Sequence, residues 1–140
     1  MDLKQKKILY IRFCYWLPAL LDALLAGDLI LYMLIGKTFY LQYPIFTSST
    51  QFLARQVIPL VIGWTILLIW GDRKPIERRI ILLLTVIPLL LLGIFLDTIL
   101  MIMGNELSSL ENYSITLIIQ AILMIIMLIG YLMAKSLEPF

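Results

Sequence analysis

Long apolar runs separated by short polar segments dominate this chain. Four such runs lie at about residues 11–35, 52–70, 80–103 and 115–134, and each consists mainly of Leu, Ile and other apolar residues. A helix needs about 20 mostly apolar residues to cross the hydrocarbon core of a bilayer. The pattern therefore predicts an all-α integral membrane protein in which four transmembrane helices pack as a bundle.

The composition agrees with this prediction and leaves little room for a second domain. Of the 140 residues, 62% are hydrophobic and only 14% are charged, whereas soluble domains contain about 45–50% apolar and about 25% charged residues. We therefore expect a single membrane domain over 1–140. The first run follows a basic start, but it is longer than the core of a signal peptide and no Ala-x-Ala-like site follows it, so we interpret it as a helix.

Basic residues are distributed unevenly among the polar segments. Nine of the 11 lie in the two terminal flanks and the middle loop: Lys4, Lys6, Lys7, Arg12, Arg73, Lys74, Arg78, Arg79 and Lys135. The other two, Lys37 and Arg55, flank the first connection on the opposite side. Because Lys and Arg accumulate in cytoplasmic loops, this split predicts that both termini lie in the cytoplasm, at an inner or plasma membrane. The same residues are expected to contact anionic lipid headgroups.

The use of cysteine and histidine excludes several kinds of chemistry. The chain has one cysteine, Cys14, and no histidine. An internal disulfide, a dithiol redox site, histidine-ligated haem or zinc and a histidine-based triad are therefore excluded. No glycine-rich phosphate loop is present either. We expect no metal, no cofactor and no nucleic-acid partner, and we do not favour an enzyme.

A few polar side chains interrupt the apolar runs, and these are the candidate functional residues. A charge near the bilayer centre costs at least about 2.5–3.5 kcal/mol, so it tends to face the protein interior or water. Counting along the predicted helices places Asp22 nearest the middle and the others in the outer half, where they could line an outward-facing polar cavity. The candidate binding residues are Asp22, Asp28, Arg55, Gln56, Asp97 and Gln120.

Helical phase adds a prediction about pairing. Arg55 and Asp97 are the only opposite charges whose depth and phase both allow a meeting inside the fold, so we predict that they interact. Asp28 points about 120° away from Asp22, which places it either at the outer surface or in a contact between subunits. Asp22 itself shares a face with small residues that would allow close helix packing: Ala19, Ala23, Ala26 and Gly27.

The first outer connection is rich in aromatic residues. Tyr40, Tyr43 and Phe46 lie there and are candidates for a lid over the polar cluster. Aromatic residues also collect at membrane interfaces whatever the function of the protein. The alternative is therefore an interfacial belt without a role in binding.

Three classes of function fit this sequence. The favoured one is a small membrane protein, expected to be a homo-oligomer, that binds or transports a small molecule, lipid or ion through the outward-facing cavity. The second is a structural or regulatory membrane subunit or an immunity-type protein, which needs only generic helix packing. The third is an intramembrane enzyme that uses two carboxylates for acid–base chemistry.

Overall fold

The computed structural model describes residues 2–37, 48–102 and 110–137, and the regular structure among these residues is helical. The helices are α1 (Leu3–Ile35), α2 (Ser48–Asp72), α3 (80–102) and α4 (Leu110–Ser136). Helix α3 consists of three consecutive pieces: Ile80–Leu84, Thr85–Leu91 and Leu92–Ile102. The first and last pieces are α-helical, whereas the middle piece is π-helical.

Four helices among the described residues are long and apolar enough to cross a membrane. The prediction of an all-helical chain with four candidate spans is therefore confirmed. Three helices begin earlier than the apolar runs indicated: α1 starts at Leu3, α2 at Ser48 and α4 at Leu110. Polar residues can extend a helix beyond the bilayer core, because the backbone hydrogen bonds of a helix form equally well outside the hydrocarbon region.

Local contacts fix both ends of α1. At its start, the backbone N–H of Asp2 donates to Oε1 of Gln5 at 3.3 Å, which is half of a capping box. At its end, Gly36 adopts a left-handed conformation with φ 73°, and its N–H donates to the carbonyl of Tyr32 at 2.9 Å. Glycine takes this conformation without steric penalty, so the helix can end there.

Helices α1 and α2 form an antiparallel pair with contacts at both ends. At one end the Arg12 guanidinium pairs with the Asp72 carboxylate, and at the other the Tyr32 hydroxyl donates to Oγ1 of Thr50 at 2.8 Å. The loop 73–79 follows directly after the first of these contacts. We therefore call that end of the molecule the basic end and the opposite end the distal end.

The buried core does not continue as one cluster through the whole molecule. A large apolar cluster in the basic half takes residues from all four helices: Ile11, Cys14, Tyr15, Ala19, Leu68, Ile81, Leu82, Val86, Met127 and Ala134. A smaller cluster in the distal half consists of Leu29, Tyr32 and Ala54, which belong to α1 and α2 alone. Among the described residues, all four helices therefore share a buried core in the basic half, and two of them share one in the distal half.

The described side chains in the distal halves of α3 and α4 contribute no buried residue to either cluster, although the half-buried Leu90, Met124 and Ile126 pack against the larger one. Among the side chains that the structure describes there, those from 87 to 99 in α3 and from 116 to 126 in α4 are half-buried or exposed. The two helices still contact each other in this region. In the part of the distal half that the structure describes, the buried apolar core therefore belongs to the α1–α2 pair.

A wide turn interrupts α3 near the boundary between the two halves. The segment Thr85–Leu91 is π-helical and contains Pro88, which has no N–H to donate to the preceding turn. Thr85 anchors its start, since Oγ1 donates to the carbonyl of Ile81 at 2.9 Å and accepts the indole N–H of Trp64 at 3.2 Å. Short π-helical segments occur frequently at functional sites, so this part of α3 is a candidate position for one.

Candidate functional site

Asp22 lies on the face of α1 that packs against the rest of the molecule. Buried residues flank it on that face: Tyr15 and Ala19 lie toward the basic end, and Ala26 and Leu29 lie toward the distal end. Its own side chain is half-buried, and it makes no hydrogen bond or ion pair with any described residue. Asp22 is therefore a carboxyl group without a polar partner, in the middle of a candidate membrane span.

Asp97 and Gln120 connect the distal halves of α3 and α4. Nε2 of Gln120 donates a hydrogen bond to Oδ2 of Asp97 at 3.2 Å. Gly93 lies beside this contact, since a Cβ at that position would be 3.5 Å from the same Nε2. The other polar atom of the amide, Oε1 of Gln120, is buried and has no hydrogen-bond partner among the described residues. Buried acceptors are normally satisfied, and no described residue donates to this one.

Asp22 and Gln120 lie at similar depths in the molecule. Helices α1 and α4 meet at Cys14 and Gly130, where a Cβ on the glycine would be 2.6 Å from Sγ of the cysteine. From this contact toward the distal end, Asp22 is about 12 Å away along α1 and Gln120 is about 15 Å away along α4. We call Asp22, Asp97 and Gln120 the polar layer; Asp22 lies near the middle of its candidate span, and Asp97 and Gln120 lie nearer the distal ends of theirs.

Two of the predicted binding residues, Arg55 and Gln56, lie near the start of α2 and have exposed side chains. The predicted pair between Arg55 and Asp97 is absent, because Asp97 is bonded to Gln120 and no salt bridge joins it to Arg55. Helix α2 packs along α1, whereas the last piece of α3, which carries Asp97, packs against α4. The prediction was wrong because depth and phase do not determine which helices are neighbours.

The predicted small-residue face of α1 is only partly correct. Ala19 and Ala26 are buried, but Ala23 is exposed and a Cβ on Gly27 would meet nothing within 4 Å. The packed face of α1 is therefore rotated away from Ala23 and Gly27.

Asp28 is only 5% exposed, so its side chain is buried within the single chain and does not lie on the outer surface.

Three concave surfaces accompany this arrangement. A cavity of about 630 Å³ lies along α1 near the basic end. A second, of about 660 Å³, lies along α3 near Pro88. A third, of about 100 Å³, lies between α1 and α2 near Tyr32. None of these three is lined by a predicted binding residue. The aromatic residues proposed as a lid lie outside the described residues: Tyr40, Tyr43 and Phe46.

A second polar cluster, which the sequence did not reveal, ties α1 to α2 at the basic end. Nε and Nη2 of Arg12 donate to the two carboxylate oxygens of Asp72, each at 2.9 Å. The indole N–H of Trp16 donates to Oδ2 of the same carboxylate at 3.1 Å. Asp72 is 8% exposed, whereas the Arg12 side chain is 53% exposed. Three donors therefore satisfy a buried carboxylate at the edge of the span.

The loop 73–79 is held against this cluster by aromatic contacts. The Arg78 guanidinium lies 3.4 Å from the centroid of the Trp70 ring and also donates to the carbonyl of Trp70. The Tyr15 hydroxyl donates to the carbonyl of Arg78 at 2.9 Å and approaches that of Pro75 at 3.4 Å. Basic residues that the sequence presented only as orientation signals thus also build the basic end.

Among the described residues, these positions define a class: an all-helical chain with four candidate membrane spans, an ion pair that ties α1 to α2 at the basic end, and a polar layer beyond the shared core. Comparison with protein-family models, with curated protein sequences and with solved structures finds no match to this chain. Its function is therefore inferred from the chemistry of its own residues.

Proposed function

We propose that the chain is an integral membrane protein that binds a monovalent cation at Asp22 and transfers it through the polar layer. The cation is a proton or a small organic cation. Both termini lie in the cytoplasm of an inner or plasma membrane, with the distal end outside, and the protein works as a homo-oligomer. The observation that carries this proposal is the half-buried Asp22 carboxyl, which has no polar partner among the described residues.

The charge balance of the polar layer favours a cation over an anion. Asp22 and Asp97 both lie there, and neither forms an ion pair with a described basic residue. An isolated carboxylate is costly to hold in a low-dielectric region unless it is protonated or paired. A proton or an organic cation at Asp22 supplies the opposite charge that such a carboxylate needs.

The packing favours access from the distal side. The shared apolar core ends on the basic side of Asp22, and the described side chains of α3 and α4 beyond that level are half-buried or exposed. A ligand approaching from the distal end or from the bilayer therefore meets partly open apolar helix surfaces rather than a packed core. An apolar cation suits these surfaces better than a strongly hydrated one, because less water has to be removed.

Replacing Asp22 is expected to abolish this binding. With tetraphenylphosphonium as the probe, equilibrium dialysis of the purified protein should show at least about tenfold weaker binding to Asp22→Asn, while Asp22→Glu keeps most of it. A tenfold loss corresponds to about 1.4 kcal/mol, a modest value for removing a buried charge partner. Binding by the parent protein should weaken as the pH is lowered, because a proton on the carboxyl competes with the probe.

The matched control is Glu77→Gln, which removes an exposed carboxylate in the loop 73–79 and should leave binding unchanged. Circular dichroism establishes that the variants remain folded. Equal binding of the probe to the parent and to folded Asp22→Asn would show that Asp22 does not bind an organic cation. In that case, equal proton flux into proteoliposomes from the two proteins would reject the remaining proton alternative.

Orientation in the membrane provides an independent prediction. A reporter enzyme that is active only outside the cytoplasm should be inactive when fused after Lys135 and active when fused within the connection 38–47. The physical reason is the concentration of basic residues at one end of the molecule. Activity of the fusion after Lys135 would place the C-terminus outside and invert the proposed direction of access.

A structural or regulatory subunit is the alternative that a specific observation favours. The distal halves of α3 and α4 expose many large apolar side chains, among them Leu91, Leu92, Phe95 and Ile122. Lipid covers such surfaces in a monomer, but a second copy or another membrane protein covers them equally well. A protein of this second class would bind no probe at Asp22, so the same dialysis experiment distinguishes the two functions.

A further inference from the structure

The cavity of about 630 Å³ near the basic end is an open groove, and the described residues that line it all belong to α1. Its lining residues combine apolar, aromatic and basic side chains: Lys6, Leu9, Tyr10, Arg12, Phe13 and Trp16. It is separate from the polar layer, since Trp16, its lining residue closest to that layer, lies about 9 Å from Asp22 along the helix. An inference about this groove is therefore independent of the proposed function.

Both cations of the groove have donor capacity to spare. Lys6 is exposed and its ammonium group makes no hydrogen bond or ion pair with a described residue. Arg12 uses Nε and Nη2 on the Asp72 carboxylate, which leaves Nη1 for another acceptor. A phosphate oxygen accepts well from both groups, because guanidinium and ammonium donors form short, charge-assisted hydrogen bonds with anions.

The apolar part of the groove is held in place by contacts elsewhere in the molecule. The Tyr10 hydroxyl donates to the carbonyl of Ile126 on α4 at 3.4 Å, which fixes one wall. The Trp16 indole N–H donates to Asp72, which fixes another. Phe13 lies between them and is about half exposed. The groove is therefore a formed surface rather than a gap between freely rotating side chains.

We propose that this groove binds an anionic phospholipid. The headgroup phosphate lies between the Lys6 ammonium and Nη1 of Arg12, and an acyl chain follows Phe13 toward Trp16. The charge of the groove selects an anion, and its apolar surface excludes a fully hydrated one. Its position at the junction of a candidate span and a basic flank matches the headgroup level of a bilayer, where tryptophan and basic residues collect.

The test is a lipid titration followed by native mass spectrometry. The protein in detergent is titrated with phosphatidylglycerol or with phosphatidylcholine that carries the same acyl chains. The first phosphatidylglycerol should bind about fivefold more tightly than the first phosphatidylcholine, the contribution typical of one basic residue near an anionic surface. Lys6→Gln should bring the two affinities close together.

Lys4→Gln is the matched control, because Lys4 is exposed on α1 but does not line the groove. It should keep the full preference for phosphatidylglycerol. An equal loss in Lys4→Gln and Lys6→Gln, or no preference in the parent protein, would overturn the proposal in favour of diffuse attraction. Displacement of the lipid by millimolar inorganic phosphate would also overturn it, and so would a lipid-free dimer that Lys6→Gln dissociates.

Discussion

Gly130→Ala is expected to destabilise the protein by about 1–3 kcal/mol, the usual cost of overpacking a filled core. The added Cβ would lie 2.6 Å from Sγ and 3.0 Å from Cβ of Cys14. Cys14 is fully buried and donates to the carbonyl of Ile126, so it cannot easily move aside. The gain in helix propensity from glycine to alanine, about 1 kcal/mol, offsets only part of this cost. Unfolding in dodecyl sulfate, followed by circular dichroism, measures the difference.

Gly63→Ala is the matched control for this substitution. Gly63 is also inside a helix, but a Cβ there would meet nothing within 4 Å. It should therefore be neutral or slightly stabilising. Combining Cys14→Ala with Gly130→Ala removes the closest contact and should recover part of the loss. If Gly130→Ala is as harmless as the control, α1 and α4 do not approach each other at this point.

Breaking the ion pair between Arg12 and Asp72 is the second substitution with a large expected effect. Arg12→Gln and Asp72→Asn should each cost about 1–3 kcal/mol, in the range measured for hydrogen bonds to charged groups. A fully buried pair would cost about 3–5 kcal/mol when broken. The expected value is smaller because the Arg12 side chain is 53% exposed and its charge remains partly solvated.

A double-mutant cycle in the same unfolding assay isolates the interaction between the two groups. The Arg12→Gln/Asp72→Asn protein should lose at least about 1 kcal/mol less than the sum of the single losses. The control cycle uses Lys74 and Glu77, an exposed pair at 2.8 Å for which a coupling below about 0.5 kcal/mol is expected. Purely additive losses for the first cycle would show that the ion pair does not stabilise the fold.

Hydropathy was sufficient to predict the four helices, but not their rotation about their axes. Each candidate span is apolar on all sides, so no polar stripe distinguishes the lipid face from the packed face. That is why Ala19 and Ala26 were correctly placed on the packed face of α1 whereas Ala23 was not. The depth of each polar residue followed directly from its position along a helix, since the helical rise is constant.

The partners of the polar residues depend on which helices are neighbours, and neither hydropathy nor helical phase indicates which helices pack together. Arg55 and Asp97 had suitable depth and phase, yet they belong to helix pairs that do not pack together at that level. The Arg12–Asp72 pair was missed for the opposite reason. Both residues lie at the basic boundary of neighbouring helices, but a count of basic residues treats Arg12 only as a charge and does not include Asp72.

The shared core of the basic half also determines when the protein can complete its fold during synthesis. Helices α1 and α2 are neighbours in sequence and can pair as soon as both have been synthesised. The core nevertheless needs Met127 and Ala134, which belong to the last described helix. Until α4 has been synthesised, Ile11 and Cys14 lack the α4 residues against which they pack. A nascent chain that ends after α3 is therefore incompletely packed, and exposed apolar surface of this kind makes a folding intermediate prone to aggregation.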